Sequence, residues 1–266
     1  MDALVTVRGV TRVFASKGSV GEVHALGPID LALPAGEFFA VVGPSGCGKS
    51  TLLEIIAGLS DPTEGEVFFD GNRVGGFVPR GIGIIFQDDA SFPWLTVREN
   101  IAFGLKRRGV DTPTVRRKVE DALKLTGLQQ FGDAYPAQLS GGMRQRVCIA
   151  RTLVLEPRLI LLDEPFGALD QQTRLLMGDE LLRLWRETGA TILLITHALD
   201  EAAMLSDRVG VMSARPGTFL EVVTTRWPRD RDSTIATKPE FGEITSHLWA
   251  LLRAQSIKSI RETAAP

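Results

Sequence analysis

Phe38-Phe-Ala-Val-Val42 followed by Gly43-Pro44-Ser45-Gly46-Cys47-Gly48-Lys49-Ser50-Thr51 is the stretch that decides the fold. Five apolar residues make a short buried strand, the glycine-rich run makes a loop, and the residues from about Lys49 to Ala57 read as a helix that stops at Gly58. A glycine loop between a strand and a helix lets backbone N–H groups and the positive end of the helix surround phosphate oxygens. Within it, Lys49 is placed to reach the outer phosphates and the Ser50 hydroxyl to ligate Mg2+. An ordinary glycine turn is the plainer alternative. Triphosphate binding, however, accounts for the lysine, the hydroxyl and the strand-to-helix setting together.

Downstream, Leu159-Ile-Leu-Leu162 and Thr191-Ile-Leu-Leu-Ile195 are two more short apolar runs, separated by a leucine-rich helix. This is the strand-helix-strand rhythm of a parallel sheet, so the core is expected to be α/β. The first run delivers Asp163 and Glu164 at its carboxyl end, where ligands bind in open α/β sheets. Alternation along a strand points the two acids to opposite sides. Asp163 is therefore expected to hold Mg2+ through water and Glu164 to take a proton from an attacking water. A strand ending in Asp-Glu is by itself an ordinary solvated terminus, and the upstream phosphate loop is what changes its reading. His197 follows the second run, on the same sheet edge, and is expected to contact the terminal phosphate.

Ser140-Gly141-Gly142 opens a helix expected over Met143–Leu155, with Ser140 as N-cap. It is either a capped helix start or a second anion site without a lysine of its own. One full site and one half-site in a chain suggest that two copies share nucleotides across an interface. Between Gln87 and Ser140 the pattern is helical. Thr96 and Glu99 form a capping box, and Thr112 with Pro113 opens a further helix that carries Val115, Val119 and Leu123 on one stripe and ends at Gly127.

Toward the amino end, alternation over Leu4–Arg8 and Val23–Leu33 predicts antiparallel strands joined by a loop over Ser16–Gly21. Toward the carboxyl end, Arg226–Asp232 reads as a solvated linker before an amphipathic helix bearing Phe241, Ile244, Leu248 and Leu251.

The 266 residues carry 30 Lys and Arg against 32 Asp and Glu, a net charge of −2, so no global positive field recruits nucleic acid or acidic lipid. No apolar run approaches the ~20 residues of a membrane-spanning helix. Met1–Val10 lacks the basic start and apolar core of a secretion signal, and a cytoplasmic location is expected. Cys47 and Cys148 suit neither a disulfide framework nor a metal site. Cys47, inside the phosphate loop, is expected to be open to alkylation when the site is empty.

The set Gly43–Ser50, Gln87, Leu139-Ser140-Gly141-Gly142-Met143-Arg144-Gln145, Asp163-Glu164, Ala168-Leu169-Asp170 and His197 resembles the ATP-binding-cassette family, in order and spacing, over about Leu4–Thr225. The resemblance implies a P-loop NTPase core with a mostly parallel sheet, an N-terminal antiparallel β subdomain and an inserted α-helical subdomain. It places the ATPase domain at 1–225, the insertion at about 88–139, and a linker and helix at 226–266. It implies ATP and Mg2+, and a head-to-tail pair of copies in which the Ser140 helix of one closes on the nucleotide of the other. Gln87 would sense Mg2+ and link the site to a membrane partner, Glu164 would be the catalytic base, His197 would position the γ-phosphate and Asp170 would lie at the dimer seam. Phe14 resembles the aromatic that stacks on adenine, although a Phe at a strand end also suits a core.

Met143, Phe92-Pro93-Trp94-Leu95-Thr96-Val97 and Arg215-Pro216-Gly217 resemble the import subgroup for nitrate, sulfonates, taurine and related small anions. The partners so implied are membrane permease subunits and, indirectly, a periplasmic or extracellular solute-binding protein, with the chain peripheral on the cytoplasmic face. Phe92, Trp94 and Leu95 read either as the contact for the membrane subunit or as core. The chain ends before the large regulatory domain that some sugar-importing cassettes carry. An exporter nucleotide-binding subunit is the alternative, since import and export share all core motifs, and a free-standing chain fits import. A phosphate-loop kinase would lack Leu-Ser-Gly-Gly. A DNA-repair or translation cassette would carry a coiled coil or two cassettes.

Overall fold

The computed structural model describes residues 3–15, 21–86, 90–167 and 169–263. In chain order the strands are β1 (Ala3–Ala15), β2 (Glu22–Pro34), β3 (Phe38–Val42), β4 (Glu64–Phe69), β5 (Asn72–Arg73), β6 (Ile82–Ile85), β7 (Leu159–Asp163), β8 (Thr191–Ile195), β9 (Arg208–Met212) and β10 (Phe219–Thr224). The helices are α1 (Lys49–Ala57), α2 (Val97–Arg107), α3 (Thr112–Leu125), α4 (Gly141–Leu153), α5 (Gln171–Thr188), α6 (Leu199–Leu205) and α7 (Pro239–Thr263).

Two sheets form. An antiparallel sheet has the order β2-β1-β4-β5, and a six-stranded sheet has the order β10-β9-β3-β8-β7-β6. In the second, β9, β3, β8, β7 and β6 run parallel and only β10 is antiparallel. The expected mostly parallel core with an antiparallel companion is what forms. Strands buried on both faces need unbroken apolar runs, and the period of two divides each run between two cores. Phe38, Ala40, Val42, Ile160, Leu162, Ile192 and Leu194 face one core with α5, while Phe39, Val41, Leu159, Leu161, Leu193 and Ile195 face the other with α1.

A third apolar cluster joins α2, α3 and α4 through Val97, Ile101, Val119, Leu123, Val147 and Val154. Both halves of the Thr96–Glu99 capping box are present. α3 starts at Thr112, as its threonine and proline suggested. Asp111 is the N-cap, accepting from Thr114 N at 3.0 Å, and Pro113 sits within the first turn where its missing N–H costs nothing. α4 ends at Leu153, two residues short of the expected Leu155.

The segment after Thr225 departs most from expectation. Most of Arg226–Asp232 is exposed, as a solvated linker would be, but Trp227 Nε1 donates to Ala203 O at 2.7 Å and the Arg231 side chain is fully buried. Arg231 Nη1 donates to Asp207 Oδ1 at 2.8 Å and Nη2 to Leu205 O at 2.5 Å, and the guanidinium lies 4.8 Å from the Trp185 ring centroid. One arginine of a charged run has turned inward, where an acid, a carbonyl and an aromatic face compensate its desolvation. The following α7 has the expected face: Leu248 is buried, and Phe241, Ile244 and Leu251 pack against the same core as Trp185.

Arg231→Ala should leave Asp207 only its bond from Phe38 N and open space beside Trp185, destabilising the fold by about 3 kcal/mol. Urea denaturation followed by tryptophan fluorescence measures this, and an unchanged midpoint would mean that the pair adds nothing.

Candidate functional site

β3 leads into the phosphate loop, and the loop is shaped by what its glycines touch. Gly48 has φ 100°, and a Cβ there would lie 2.8 Å from Ala25 O and 2.6 Å from Leu26 Cδ2. A side chain at this position is excluded twice, by backbone conformation and by β2. Gly43 is closed by its neighbours alone, its missing Cβ falling 2.8 Å from Cys47 Sγ and 3.0 Å from Met212 Cβ. The Lys49 ammonium is buried at the loop's centre, donating to Gly43 O at 2.9 Å and Pro44 O at 3.0 Å.

A cavity of about 350 Å3 opens against this loop, lined by Phe14, Val23, Ala25, Ser45, Gly46, Gly48–Thr51, Glu164 and Arg215. Phe14 is on its rim rather than in a core, 38% exposed, with the Arg12 guanidinium over its ring at 4.6 Å. Chain folding thus brings the Phe14 strand, the phosphate loop and the end of β7 to one cleft.

Ser50 Oγ donates to Asp163 Oδ1 at 3.2 Å. Burial raises the Asp163 pKa, the Ser50 hydrogen bond opposes this, and the Glu164 charge adds to it. A hydroxyl and a carboxylate side by side are hard oxygen donors of the kind Mg2+ takes, and a dication there would remove the desolvation penalty on Asp163. Among the described residues no group of three or more His, Cys, Asp or Glu could hold a metal by itself. Ser50 and Asp163 would therefore share the ion with oxygen donors from elsewhere, phosphate and water among them, the usual manner for Mg2+.

Glu164 follows the strand in a left-handed conformation, φ 46°, which costs a non-glycine residue about 1 kcal/mol. Its N–H donates to Ile195 O at 2.8 Å, so the turn is held by β8. The separation of the two acids comes from this turn as well as from strand alternation. Glu164 Oε2 lies 3.1 Å from His197 Nδ1, and the imidazole is 57% exposed at the end of β8. A carboxylate steadied by an imidazole at a phosphate-loop cavity can accept a proton from water while the ring faces a phosphate.

Ser140 caps α4, its Oγ accepting from Met143 N at 3.3 Å, and Ser140 and Gly141 are exposed. Neither they nor Gly142 line the phosphate-loop cavity. Asp170 is exposed and caps α5, with Thr173 N at 3.0 Å and Thr173 Oγ1 at 2.6 Å, contacts that lower its pKa. A Cβ on Gly142 would meet Thr173 Cγ2 at 3.7 Å, which puts the start of α4 beside the start of α5. Gln87 and Ala168 lie outside the described residues.

Three contributors escaped the motif reading. Arg215 Nε and Nη2 donate to Gly46 O at 3.3 and 3.2 Å. Val23 and Ala25 form the β2 wall of the cavity. A second cavity of about 300 Å3 puts Trp249 and Ser259 of α7 beside Pro44, Ser45 and His197. All come from segments remote in sequence, and only the Arg215-Pro216-Gly217 peptide gave any signal.

A family profile described as ABC transporter matches residues 26–167, more than half of the chain. The nitrate import ATP-binding protein NrtD of a Synechocystis species is 42% identical over 97% of this chain and 98% of its own length. The taurine import ATP-binding protein TauB of Pelagibacter ubique is 50% identical over 73% of each chain. Among solved structures, the dimeric post-hydrolysis state of the ATP-binding cassette MJ0796 bound to ADP and Pi matches with TM-score 0.73 at 32% identity, covering 84% of this chain and 100% of that one.

The expected exposure of Cys47 is overturned. Its side chain is 1% exposed and tucked under Gly43, and burial raises the thiol's pKa against the opposing charges of Lys49 and Arg215. Native chain treated with N-ethylmaleimide near neutral pH should label Cys47 roughly a hundredfold more slowly than urea-unfolded chain. Peptide mass spectrometry reads the ratio, and fast native labelling would contradict the buried thiol.

Proposed function

The chain belongs to the ABC transporter family, and from that premise we propose that it is the ATP-hydrolysing subunit of an importer for a small anion such as nitrate, taurine or another sulfonate. The observation that carries the hydrolytic reading is the convergence of Lys49, the Ser50–Asp163 pair and the Glu164–His197 pair on one sheet edge, with Lys49, Ser50 and Glu164 lining the phosphate-loop cavity. The anion reading rests on the likeness to import proteins named for nitrate and taurine.

In this reading the loop from Gly43 to Thr51 and the start of α1 cradle the phosphates of ATP. Lys49 exchanges its two loop carbonyls for outer phosphate oxygens. Ser50 and Asp163, with Gln87, hold Mg2+, which supplies charge neutralisation on the phosphates. Glu164 accepts the proton of the attacking water. His197 stands between the Glu164 carboxylate and a γ-phosphate oxygen. Phe14 stacks on adenine.

The exposed Ser140–Gly142 start of α4 completes the site of a second copy. Two chains then meet head to tail over two ATP molecules, with Asp170 at the seam. The likeness to a dimeric cassette supports this pairing.

The ATPase domain spans 1–225, with 88–139 as its inserted helical part, and residues 226–266 follow it. The insertion carries Trp94, 70% exposed, with its ring 5.6 Å from that of Phe92, and Phe92 in turn 4.6 Å from Phe103. This apolar cluster is the docking point for membrane permease subunits, with the chain at the cytoplasmic face and a solute-binding protein acting beyond the membrane.

Glu164→Gln should bind ATP, fail to hydrolyse it, and elute as a dimer in size-exclusion chromatography with ATP but as a monomer with ADP. A variant that binds ATP and stays monomeric would count against the shared site. Trp94→Ala should keep its ATP affinity and its denaturation midpoint within about 0.5 kcal/mol, while losing co-purification with the permease subunits. Unfolding of that variant would instead assign the indole to the core.

A further inference from the structure

Glu201 has no part in the mechanism above, yet it is among the most deeply placed acids of the described chain, 5% exposed in the first turn of α6. An acid in a helix's first turn ordinarily faces solvent and answers the helix dipole, as the exposed neighbour Asp200 does. Glu201 turns inward instead. Its Oε2 accepts from Thr196 Oγ1 at 2.7 Å, and Thr196 Oγ1 in turn accepts from Ala198 N at 3.0 Å. Thr196 N donates to Val41 O at 3.2 Å, tying the same residue to the strand that feeds the phosphate loop. The residues on either side of His197 are thus fixed by one relay that ends on the Glu201 carboxylate, while the imidazole itself is exposed and touches only Glu164 among the hydrogen bonds described.

We propose that Glu201 is a positioning residue for His197, holding the backbone on both sides of the imidazole through Thr196 and so setting where the ring stands between Glu164 and the terminal phosphate. The proposal rests on the reading of His197 given above. An alternative in which Glu201 serves packing alone leaves its geometry unexplained. The other oxygen, Oε1, is buried without a hydrogen-bond partner among the described residues, and so is Nε of Arg174. An apolar residue would fill the space without that penalty.

The surroundings also make the relay sensitive to pH. Burial pushes the Glu201 pKa up to about 7, with the Thr196 hydrogen bond and the charges of Arg174 on α5 and His197 pulling it down and the Glu164 charge pushing it further up. Below that pH the carboxyl is neutral. Above it the carboxylate forms a charge-assisted bond to Thr196, which tightens the relay.

The test is steady-state ATP hydrolysis by the purified full chain from pH 6 to 9, comparing wild type with Glu201→Ala, Glu201→Gln, Thr196→Val, the Thr196→Val/Glu201→Ala double variant and His197→Ala. Displacing a reacting group by a fraction of an ångström costs tenfold or more in rate. Glu201→Ala and Thr196→Val should each lower kcat roughly tenfold with KM for ATP within about twofold, and the double variant should be no worse than either, because both cut one relay. Glu201→Gln, whose amide oxygen still accepts from Thr196, should restore most of the rate and lack the rise in kcat that wild type makes near pH 7. Wild-type kcat in Glu201→Ala would overturn the proposal. So would losses that multiply in the double variant, or a fall in kcat that Glu201→Gln does not rescue. Loss of activity in His197→Ala with none in Glu201→Ala refutes the positioning role alone, whereas full activity in His197→Ala refutes the reading of His197 and the positioning role with it.

Discussion

The parallel pairing of β3, β8 and β7 is the constraint on which the rest depends. Val41 pairs with Ile195, and Ile195 with Asp163, so the three strands end at the same level. Whatever follows each strand must then stand at one edge: the phosphate loop, the acidic pair and the histidine. The two backbone bonds just past the ends, Glu164 N to Ile195 O and Thr196 N to Val41 O, extend the ladder by a residue and fix the approach of the functional groups. Had the strands been antiparallel, alternate ends would have pointed away from one another, and no choice of side chains would have gathered these groups.

The edge is also where the fold tolerates strain and unpaired polarity. Glu164 stands in a left-handed conformation, Lys49 is buried on carbonyl oxygens, Asp163 is half-buried beside a hydroxyl, and Glu201 holds one oxygen without a partner among the described residues. Each feature costs free energy in the chain alone. A bound polyanion with its cation, as proposed, would relieve Lys49 and Asp163, an arrangement that suits occupancy rather than the stability of the empty chain.

Much of this was legible in the sequence because short-range rules govern it. The bounds of β3, α1 and β8 follow from an apolar run, a glycine loop and a glycine stop, and the capping box at Thr96 announces its helix without reference to anything distant. What stayed hidden is what depends on tertiary neighbours. Arg231 sits in a run of charges that any local rule assigns to solvent, and only the Asp207 carboxylate and the Trp185 face explain its burial. Asp111 went unread as a cap because Thr112 and Pro113 already mark where that helix begins. Cys47 looked accessible since the loop looked open, and the seat under Gly43 exists only once Met212 closes it from β9. Arg215, Trp249 and Glu201 reach the site from a loop and two helices far along the chain.

α4 is shared between two apolar bodies: Val147, Ala150 and Val154 belong to the helical cluster, and Cys148, Ile149 and Leu153 to the central core. Arg151, on the same helix, donates to Ala90 O at 2.6 Å and stands 5.0 Å from the Phe92 ring centroid. The aromatic patch and Ser140 are therefore attached to opposite ends of one rod of 13 residues, about 20 Å long. A rod gripped along its length cannot bend to absorb a push. A tilt of 10° imposed at the patch swings the far end by roughly 3 Å, about the length of a hydrogen bond. If Ser140 meets a nucleotide as proposed, a push on the patch would therefore be felt there as a displacement large enough to make or break that contact.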